Sequence, residues 1–335
     1  LPQGAIIIPS PVFQNQYLLF HMNARYVKTP NNGILLSDTL FCTTINVQND
    51  GSVTIAKKAE PIILDTIELG HLSAIQRSNK KDWWLMVPKR NGEEYFILDI
   101  SIDGIKTNSQ KIGPRFTFEN TWVGQSKFTP NSKNYIRYSP KDGIHIFDFD
   151  LSSGELSNPR SLINWKSDYK DETFGGMSIS PNSELLYLST IEGLYQTPIN
   201  SIINPDSLLL IDTFNGTQCP FFDANFFQSE LGPDGRIYIS ASGGCRYLHV
   251  IQRPDKRGKT CEFEQSAIKL VTYNSYTIPN FPVFYDSTLH QDMEIDTKEC
   301  SIEGHIEDAT LIIHSNCCVP ELVNLWSTDG KLLQQ

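Results

Sequence analysis

Several things are scarce in this chain, and each scarcity removes a class of protein. No apolar run approaches the roughly 18 to 20 residues that a membrane-spanning helix needs. Helical periodicity over ten or more residues is nearly absent, and Ser201 to Leu210, the one helix-like stretch, is interrupted by Pro205 and reads as a loop or short turn. No Cys-x-x-Cys pair suggests zinc. Positive charge is short as well: Lys plus Arg number 28 against 38 Asp plus Glu, a net charge of −10, so the overall field repels nucleic acid. The densest basic run, Arg253-Pro-Asp-Lys-Arg-Gly-Lys259, falls in a Pro/Gly turn and reads as a solvated loop. The chain opens at Leu1 with neither an initiator Met nor a basic-then-apolar leader, as expected of a processed protein or a fragment.

The 335 residues, 39% hydrophobic and 11% aromatic, suffice for a large core in one or two domains. Within them a turn followed at once by a strand recurs. Leu231-Gly-Pro-Asp-Gly-Arg-Ile-Tyr-Ile-Ser240 matches Phe128-Thr-Pro-Asn-Ser132 before Tyr135-Ile-Arg-Tyr138, and Ile179-Ser-Pro-Asn-Ser183 before Leu185-Leu-Tyr-Leu-Ser189. The turn residues are Pro130 with Asn131, Pro181 with Asn182, and Pro233 with Asp234 and Gly235; the prolines step by 51 and 52 positions. Proline fixes φ at the second position of the turn, and the Asn or Asp followed by Ser or Gly tolerates the reversal. A second marker has the same period. Gly51, Gly104 and Gly154 end hairpin turns between alternating apolar residues, stepping by 53 and 50. Strand-rich units of about 50 residues are the mark of propeller blades.

The expectation is therefore an all-β fold: a β-propeller over residues 1–286, a polar and acidic linker over 287–299, and a partial β-sandwich-like module over 300–335. About seven blades are expected in the complete protein, with six or so plus an incomplete first one here. Ala5-Ile-Ile-Ile8 and Tyr17-Leu-Leu-Phe20 read as the first two strands. Leu72 to Ile75, Trp83 to Val87, Tyr95 to Leu98 and Ile144 to Phe147 read as inner strands, and the final blade is expected to hold Tyr247 to Ile251 and Phe281 to Tyr285. Six of the seven cysteines form two clusters, Cys219, Cys245 and Cys261, then Cys300, Cys317 and Cys318, which disulfides in an oxidising compartment explain better than metal ligation.

Candidate chemistry is sparse. Asp148, Asp150 and Ser152 begin like a calcium loop, but Ser153 stands where Gly is needed and Pro159 where the closing acid belongs, so a hairpin is expected. His71, His145 and His249 lie in or beside strands, where inner strands of a propeller face the channel, yet no carboxylate partner is identifiable by spacing. Trp83 and Trp84 point to opposite faces of their strand and cannot form one sugar platform; one of them belongs to the core between blades. Asn215-Gly-Thr217 has the form of a glycosylation acceptor.

Taken in order, Gln3-Gly-Ala-Ile-Ile-Ile-Pro9, Leu72-Ser-Ala-Ile-Gln76 with Asp82-Trp-Trp84, and Gly143-Ile-His-Ile-Phe-Asp-Phe-Asp150 with Leu156-Ser-Asn-Pro159 form an ordered set. It continues through Gly175-Gly-Met-Ser-Ile-Ser-Pro-Asn182, Gly232 to Tyr238, Leu248-His-Val-Ile251 with Cys261-Glu-Phe263, and Ile278-Pro-Asn-Phe281. In this set the chain resembles a family of secreted Bacteroidetes β-propeller proteins that end in a type IX secretion sorting domain. The resemblance covers roughly residues 3–286, and Leu322 to Leu332 looks like the first part of such a sorting domain. Family members carry a further strand-rich segment upstream of Ala5. The resemblance implies secretion or a place at the cell surface, peripheral to the outer membrane. Asp38-Thr39-Leu40, Asp65-Thr66-Ile67 and Asp206-Ser207-Leu208 resemble short O-glycosylation sites of that phylum, at Thr39, Thr66 and Ser207. The expected function is a non-enzymatic binding or scaffold module without cofactor, metal or nucleic acid. Its partner is a cell-envelope protein or a surface glycan, as in an outer-membrane or secretion assembly. The rival expectation is a propeller hydrolase of lactonase or glycan-hydrolase type working in the central channel.

Overall fold

A computed structural model describes residues 2–28, 33–90, 93–115, 123–140, 142–162, 175–202, 204–220 and 222–285, and the backbone of four short strands between 302 and 334. The chain divides into two compact units, Leu1–His290 and Gln291–Gln335. In the second, the described strands are Ile302–Glu307 paired with Thr310–Ser315, and Leu325–Trp326 paired with Leu332–Gln334, both antiparallel.

The first unit consists of five successive antiparallel sheets. The first holds β1 (Ala5–Pro9), β2 (Gln16–Met22), a side strand β3 (Arg25–Lys28), β4 (Gly33–Val47) and β5 (Val53–Ile67). The second runs β6 (Ser73–Gln76), β7 (Trp83–Pro88), β8 (Glu94–Ser101) and β9 (Gly104–Lys111). The third has β10 (Gln125–Phe128), β11 (Asn134–Ser139), β12 (Gly143–Phe149) and β13 (Leu156–Leu162). The fourth has β14 (Gly175–Ile179), β15 (Leu185–Thr190), β16 (Gly193–Pro198) and β17 (Leu209–Thr213). The fifth has β18 (Ser229–Leu231), β19 (Ile237–Ile239), β20 (Cys245–Ile251) and β21 (Phe263–Asn274). The first strands of successive sheets are neighbours, in the order β1, β6, β10, β14, β18, and so form the inner wall of a propeller. The described residues hold five blades, where six or so plus a partial one were expected. The first blade has its full four strands.

The two sequence markers fold as their turn chemistry requires. The fourth turn residue has positive φ in each Pro motif: 63° at Ser132, 62° at Ser183 and 77° at Gly235. Its N–H returns to the carbonyl three residues back, on Thr129, Ser180 and Gly232. Thr129 and Ser180 also donate their hydroxyls to the carboxamides of Asn131 and Asn182, at 2.8 and 2.7 Å. Gly51, Gly104 and Gly154 have φ of 79°, 104° and 78°. Among its described residues, Ser201 to Leu210 holds no α-helix: the end of a 3-10 turn at Ile199–Ser201, a second at Pro205–Ser207 and the start of β17.

Apolar clusters fill four seams, each between consecutive blades. Ile6, Phe20 and Leu40 of the first blade pack against Leu72, Trp83 and Leu98 of the second. Trp84, Met86 and Tyr95 then meet Phe128, Tyr135 and Phe147. Both tryptophans are thus core between blades, one in each seam, because adjacent strand residues face opposite sides. Ile136 and Tyr138 meet Met177 and Leu186 in the third seam, and Tyr187 and Leu194 meet Phe226 and Ile251 in the fourth. Of the four stretches read as inner strands, only Leu72 to Ile75 lies innermost; Trp83 to Val87 is a second strand and the other two are third strands. Phe281 to Tyr285 is not part of the fifth blade. It crosses to the second, where Val283 pairs in parallel with Ile75 of β6.

Candidate functional site

Three polar regions stand out among the described residues: the channel, the wall between the second and third blades, and a cleft over the turns. In the channel, side-chain amides near the starts of the inner strands replace missing strand neighbours. Gln3 binds the Ser126 backbone twice, donating from Nε2 to its carbonyl at 2.9 Å and accepting from its N–H at 2.8 Å. The Gln125 carbonyl accepts from the N–H groups of Met177 at 2.8 Å and Ser229 at 2.9 Å. These bonds tie the first blade to the third, and the third to the fourth and fifth. Gly124 and Gly176 permit the close approach: a Cβ would lie 1.9 Å from the Tyr138 carbonyl oxygen or 2.3 Å from that of Phe227.

Residues 280–283 then run beside the inner strand β6. Asn280 Nδ2 donates to the Leu72 carbonyl at 2.8 Å, the Gln76 N–H to the Val283 carbonyl at 2.8 Å, and the Val283 N–H to the Ala74 carbonyl at 2.9 Å. A cavity of about 50 Å³ lies beside Ser126, Lys127, Ser178, Glu230 and Asn280. One or two waters fill such a volume. Lys127 Nζ and Glu230 Oε2 meet there at 2.6 Å, and burial pushes the Glu230 carboxyl above the ordinary range against the opposing pull of Lys127.

The wall holds the most reactive-looking pair. His71 Nδ1 is 2.7 Å from Ser126 Oγ, the contact a base and nucleophile would make. Nearby, Arg137 lies 3.5 Å from the Glu68 carboxylate and 3.4 Å from the Tyr95 hydroxyl. His71, Ser126, Glu68 and Arg137 are all buried, so this network sits in the packed wall. The other two histidines lie on third strands, away from the channel lining. His145 bonds Ser161 Oγ through Nδ1 and the Asp142 carbonyl through Nε2. His249 Nδ1 accepts from the Ser266 N–H, and its ring lies edge to face with Phe226. Burial lowers each to a pKa of about 4, so both are neutral at pH 7.

The third region is a cleft of about 730 Å³ where the third and fourth blades meet a loop of the fifth. Its floor is apolar, with Ile146, Leu185 and Ile199; its rim carries Lys133, Arg160 and Arg257 beside Asp148, Glu184 and Asp255. The repeated turns build it. The Asn131 N–H donates to Ser183 Oγ at 2.9 Å, and the Asn182 N–H to Asp255 Oδ1 at 3.0 Å, so the Pro130 and Pro181 turns are each latched to the next blade.

The expected site residues are distributed as follows. Pro130, Asn131, Pro181, Asn182, Pro233, Asp234 and Gly235 sit in turns between the first and second strands of the last three blades. Asp234 also accepts from Arg236 and from the Tyr238 hydroxyl. Cys219 and Cys245 are bridged. Cys261 is a correction: it is a free thiol buried in the fourth seam beside Tyr187 and Phe226, where packing replaces bridging. Cys42 is likewise free and buried, its thiol pushed up to about 11 by burial. Cys300, Cys317 and Cys318 lie outside the described residues, as does the 287–299 linker. The Thr39 hydroxyl donates to Asp38, Thr66 is half-buried, and Ser207 Oγ bonds Thr197 Oγ1 and the Ser201 and Asn204 carbonyls. Asp148 is taken by Asn134 and Arg160, and Asp150 by the Ser152 N–H and hydroxyl, which is the hairpin arrangement. Among the described residues no three metal-ligating side chains converge, and no helix is long and apolar enough to cross a membrane.

The class defined by this geometry is a β-propeller. No protein-family model matches the chain, and neither does any curated protein. Among solved structures it is similar to a "putative 6-phosphogluconolactonase" from Bacteroides uniformis, at 12% identity and TM-score 0.42, covering 80% of this chain and 86% of that one. A like-named protein from Bacteroides fragilis gives 12% identity and TM-score 0.43 over 81% and 85%. The β-propeller domain of Cps50 (Swd1) from Myceliophteria thermophila gives 12% and 0.39 over 76% of each chain. Likenesses this distant carry no argument about activity.

Proposed function

We propose that this protein is a non-enzymatic propeller that holds a partner protein outside the cytoplasm, at the cell surface or at the periphery of the outer membrane. The observation that carries the reading is the contrast between a small channel cavity and a large open cleft. The cavity beside Asn280 and Val283 in the channel is about 50 Å³, whereas the turn face offers about 730 Å³, within the roughly 300–1,000 Å³ usual for ligand sites. The Cys219–Cys245 bridge supports an oxidising compartment. Membership of the Bacteroidetes type IX family, with residues 300–335 as sorting module, belongs to the same proposal and rests on the sequence resemblance. So does a complete ring of about seven blades, for which the half-exposed apolar outer face of the first blade gives room.

The test is capture from native cell envelope under non-reducing conditions, with the eluate also screened against lactones and glycosides. A stoichiometric envelope partner and no turnover is the expected outcome. Turnover that disappears in Ser126→Ala or Glu230→Gln, without a captured partner, would instead establish the channel hydrolase.

A further inference from the structure

After β21 the chain leaves the fifth blade through a strained hinge and reaches the second. Tyr276 has a φ of 68°, and the Thr277 N–H returns to the Ser275 carbonyl at 2.9 Å, which closes a γ-turn of the rare, strained hand. Beyond the hinge, Val283 stands in parallel register with Ile75, exchanging backbone bonds with Ala74 and Gln76, and the Tyr285 N–H donates to Gln76 Oε1 at 3.2 Å. The Asn280 carboxamide is used from both ends. Its Oδ1 accepts from Gln3 Nε2 at 3.3 Å, and its Nδ2 donates to the Leu72 and Ala5 carbonyls at 2.8 and 3.2 Å.

This hold is directional but shallow. All four residues of β6 are buried, whereas none of residues 275–285 is. Val283 only borders the second seam, Phe284 meets Trp83 edge to face yet is 41% exposed, and Phe281 is 49% exposed. The channel edge of β6 is thus an acceptor for one extended segment that carries a carboxamide and, three residues on, a β-branched side chain. The segment seated there hangs on a tether whose hinge stores strain.

We infer that residues 277–285 exchange between two copies of this chain, each seating on the β6 edge of the other, so that the protein forms a homodimer. A second copy is the occupant because it remakes the register with Ile75, the Asn280 bonds and the Phe284 contact with Trp83 without loss. The short tether raises the local concentration of a chain's own segment and favours the closed monomer; release of a strained γ-turn in each copy favours exchange. The exchange uses the channel edge and stands whether or not the turn-face cleft holds a partner.

The experiment is analytical sedimentation of the full chain across the micromolar range, with Tyr276→Ala and Tyr276→Gly beside it. Both variants lose the ring that packs on Phe227, but only glycine takes the positive φ without strain. The unsubstituted chain and Tyr276→Ala dimerise, and Tyr276→Gly dimerises at least about tenfold more weakly than Tyr276→Ala, a difference of about 1.4 kcal/mol. A hinge that acted through flexibility alone would reverse that order. A cross-link then shows what is exchanged. A copy carrying Ile75→Cys, mixed with an isotope-labelled copy carrying Val283→Cys, forms a disulfide between the two chains, located by mass; one chain carrying both substitutions forms it within itself at low concentration, which establishes that the pair is in reach. A monomer throughout, equal dimerisation of the two Tyr276 variants, or a dimer without the mixed 75–283 link overturns the inference.

Discussion

The two faces of the first blade make an instructive pair. Register places Ile6 opposite Phe20 and Phe20 opposite Cys42, and this row is fully packed against the second blade. One residue over, Ile7 pairs with Leu19, Pro9 with Tyr17, Tyr17 with Ile45 and Ile45 with Ile55. This second row is as apolar as the first, yet Ile7 is 43% exposed and Ile55 58%. Among the described residues no core cluster joins the fifth blade to the first. Continuous runs such as Ala5-Ile-Ile-Ile8 and Tyr17-Leu-Leu-Phe20 are what strands buried on both faces look like; here one face is filled and the other open. Apolar character alone therefore does not tell which face carries stability. Seam geometry does.

The strongest way to break the comparison is Trp83→Ala on the filled seam. Removing a fully buried indole is expected to cost about 3 to 5 kcal/mol, read from urea unfolding. A loss under about 1 kcal/mol would mean that this seam is no better packed than the open face. Next in size is the response to acid. His145 and His249 have folded pKa values of about 4 against an ordinary value near 6.5. The unfolded chain takes up these protons first, so stability is complete above pH 6.5 and falls as pH drops toward 4. Each histidine contributes about 3 kcal/mol across that window. Histidine NMR titration with pH-dependent unfolding checks it; two rings titrating near 6.5 would remove the effect.

Both ends of this comparison are only partly legible in the sequence. The Pro turns mark the third, fourth and fifth blades, and the glycine hairpins mark the first, second and third. The two series overlap on one blade, so together they mark the five blades that the described residues hold. The later blades lack the glycine because β16 reaches β17 through a 3-10 turn at Pro205–Ser207 and β20 reaches β21 through another at Gly258–Cys261. The site is less legible still. Gln3, Gln125 and the Lys127–Glu230 pair carry no periodic signal, because their roles depend on inner strands separated by 50 to 120 positions meeting around one channel. The basic run at Arg253 is visible, but its backbone bonds to Tyr187 and Gln196 come from blade packing.

A smaller effect tests the latch between the third and fourth blades. Ser183→Ala removes the acceptor for the Asn131 N–H and is expected to cost about 1 kcal/mol. Ser183→Gly loses the same bond but relieves the positive φ of 62°, so it should cost less than alanine. If glycine costs the same or more, the latch is not what the hydroxyl is for.

The smallest expected effect is the most telling. On the open face, Ile7→Ser removes a side chain already 43% in water, and surface changes of this kind stay within about 0.5 kcal/mol. Ile6→Ser, its neighbour on the filled face, is expected to cost several-fold more, since it buries a hydroxyl where Phe20 and Leu72 pack. Adjacent residues of the same type then differ only in which way the pleat turns them. If instead Ile7→Ser costs as much as Ile6→Ser, the second face is covered in solution by something outside the five described blades, and the difference between the two isoleucines measures how completely.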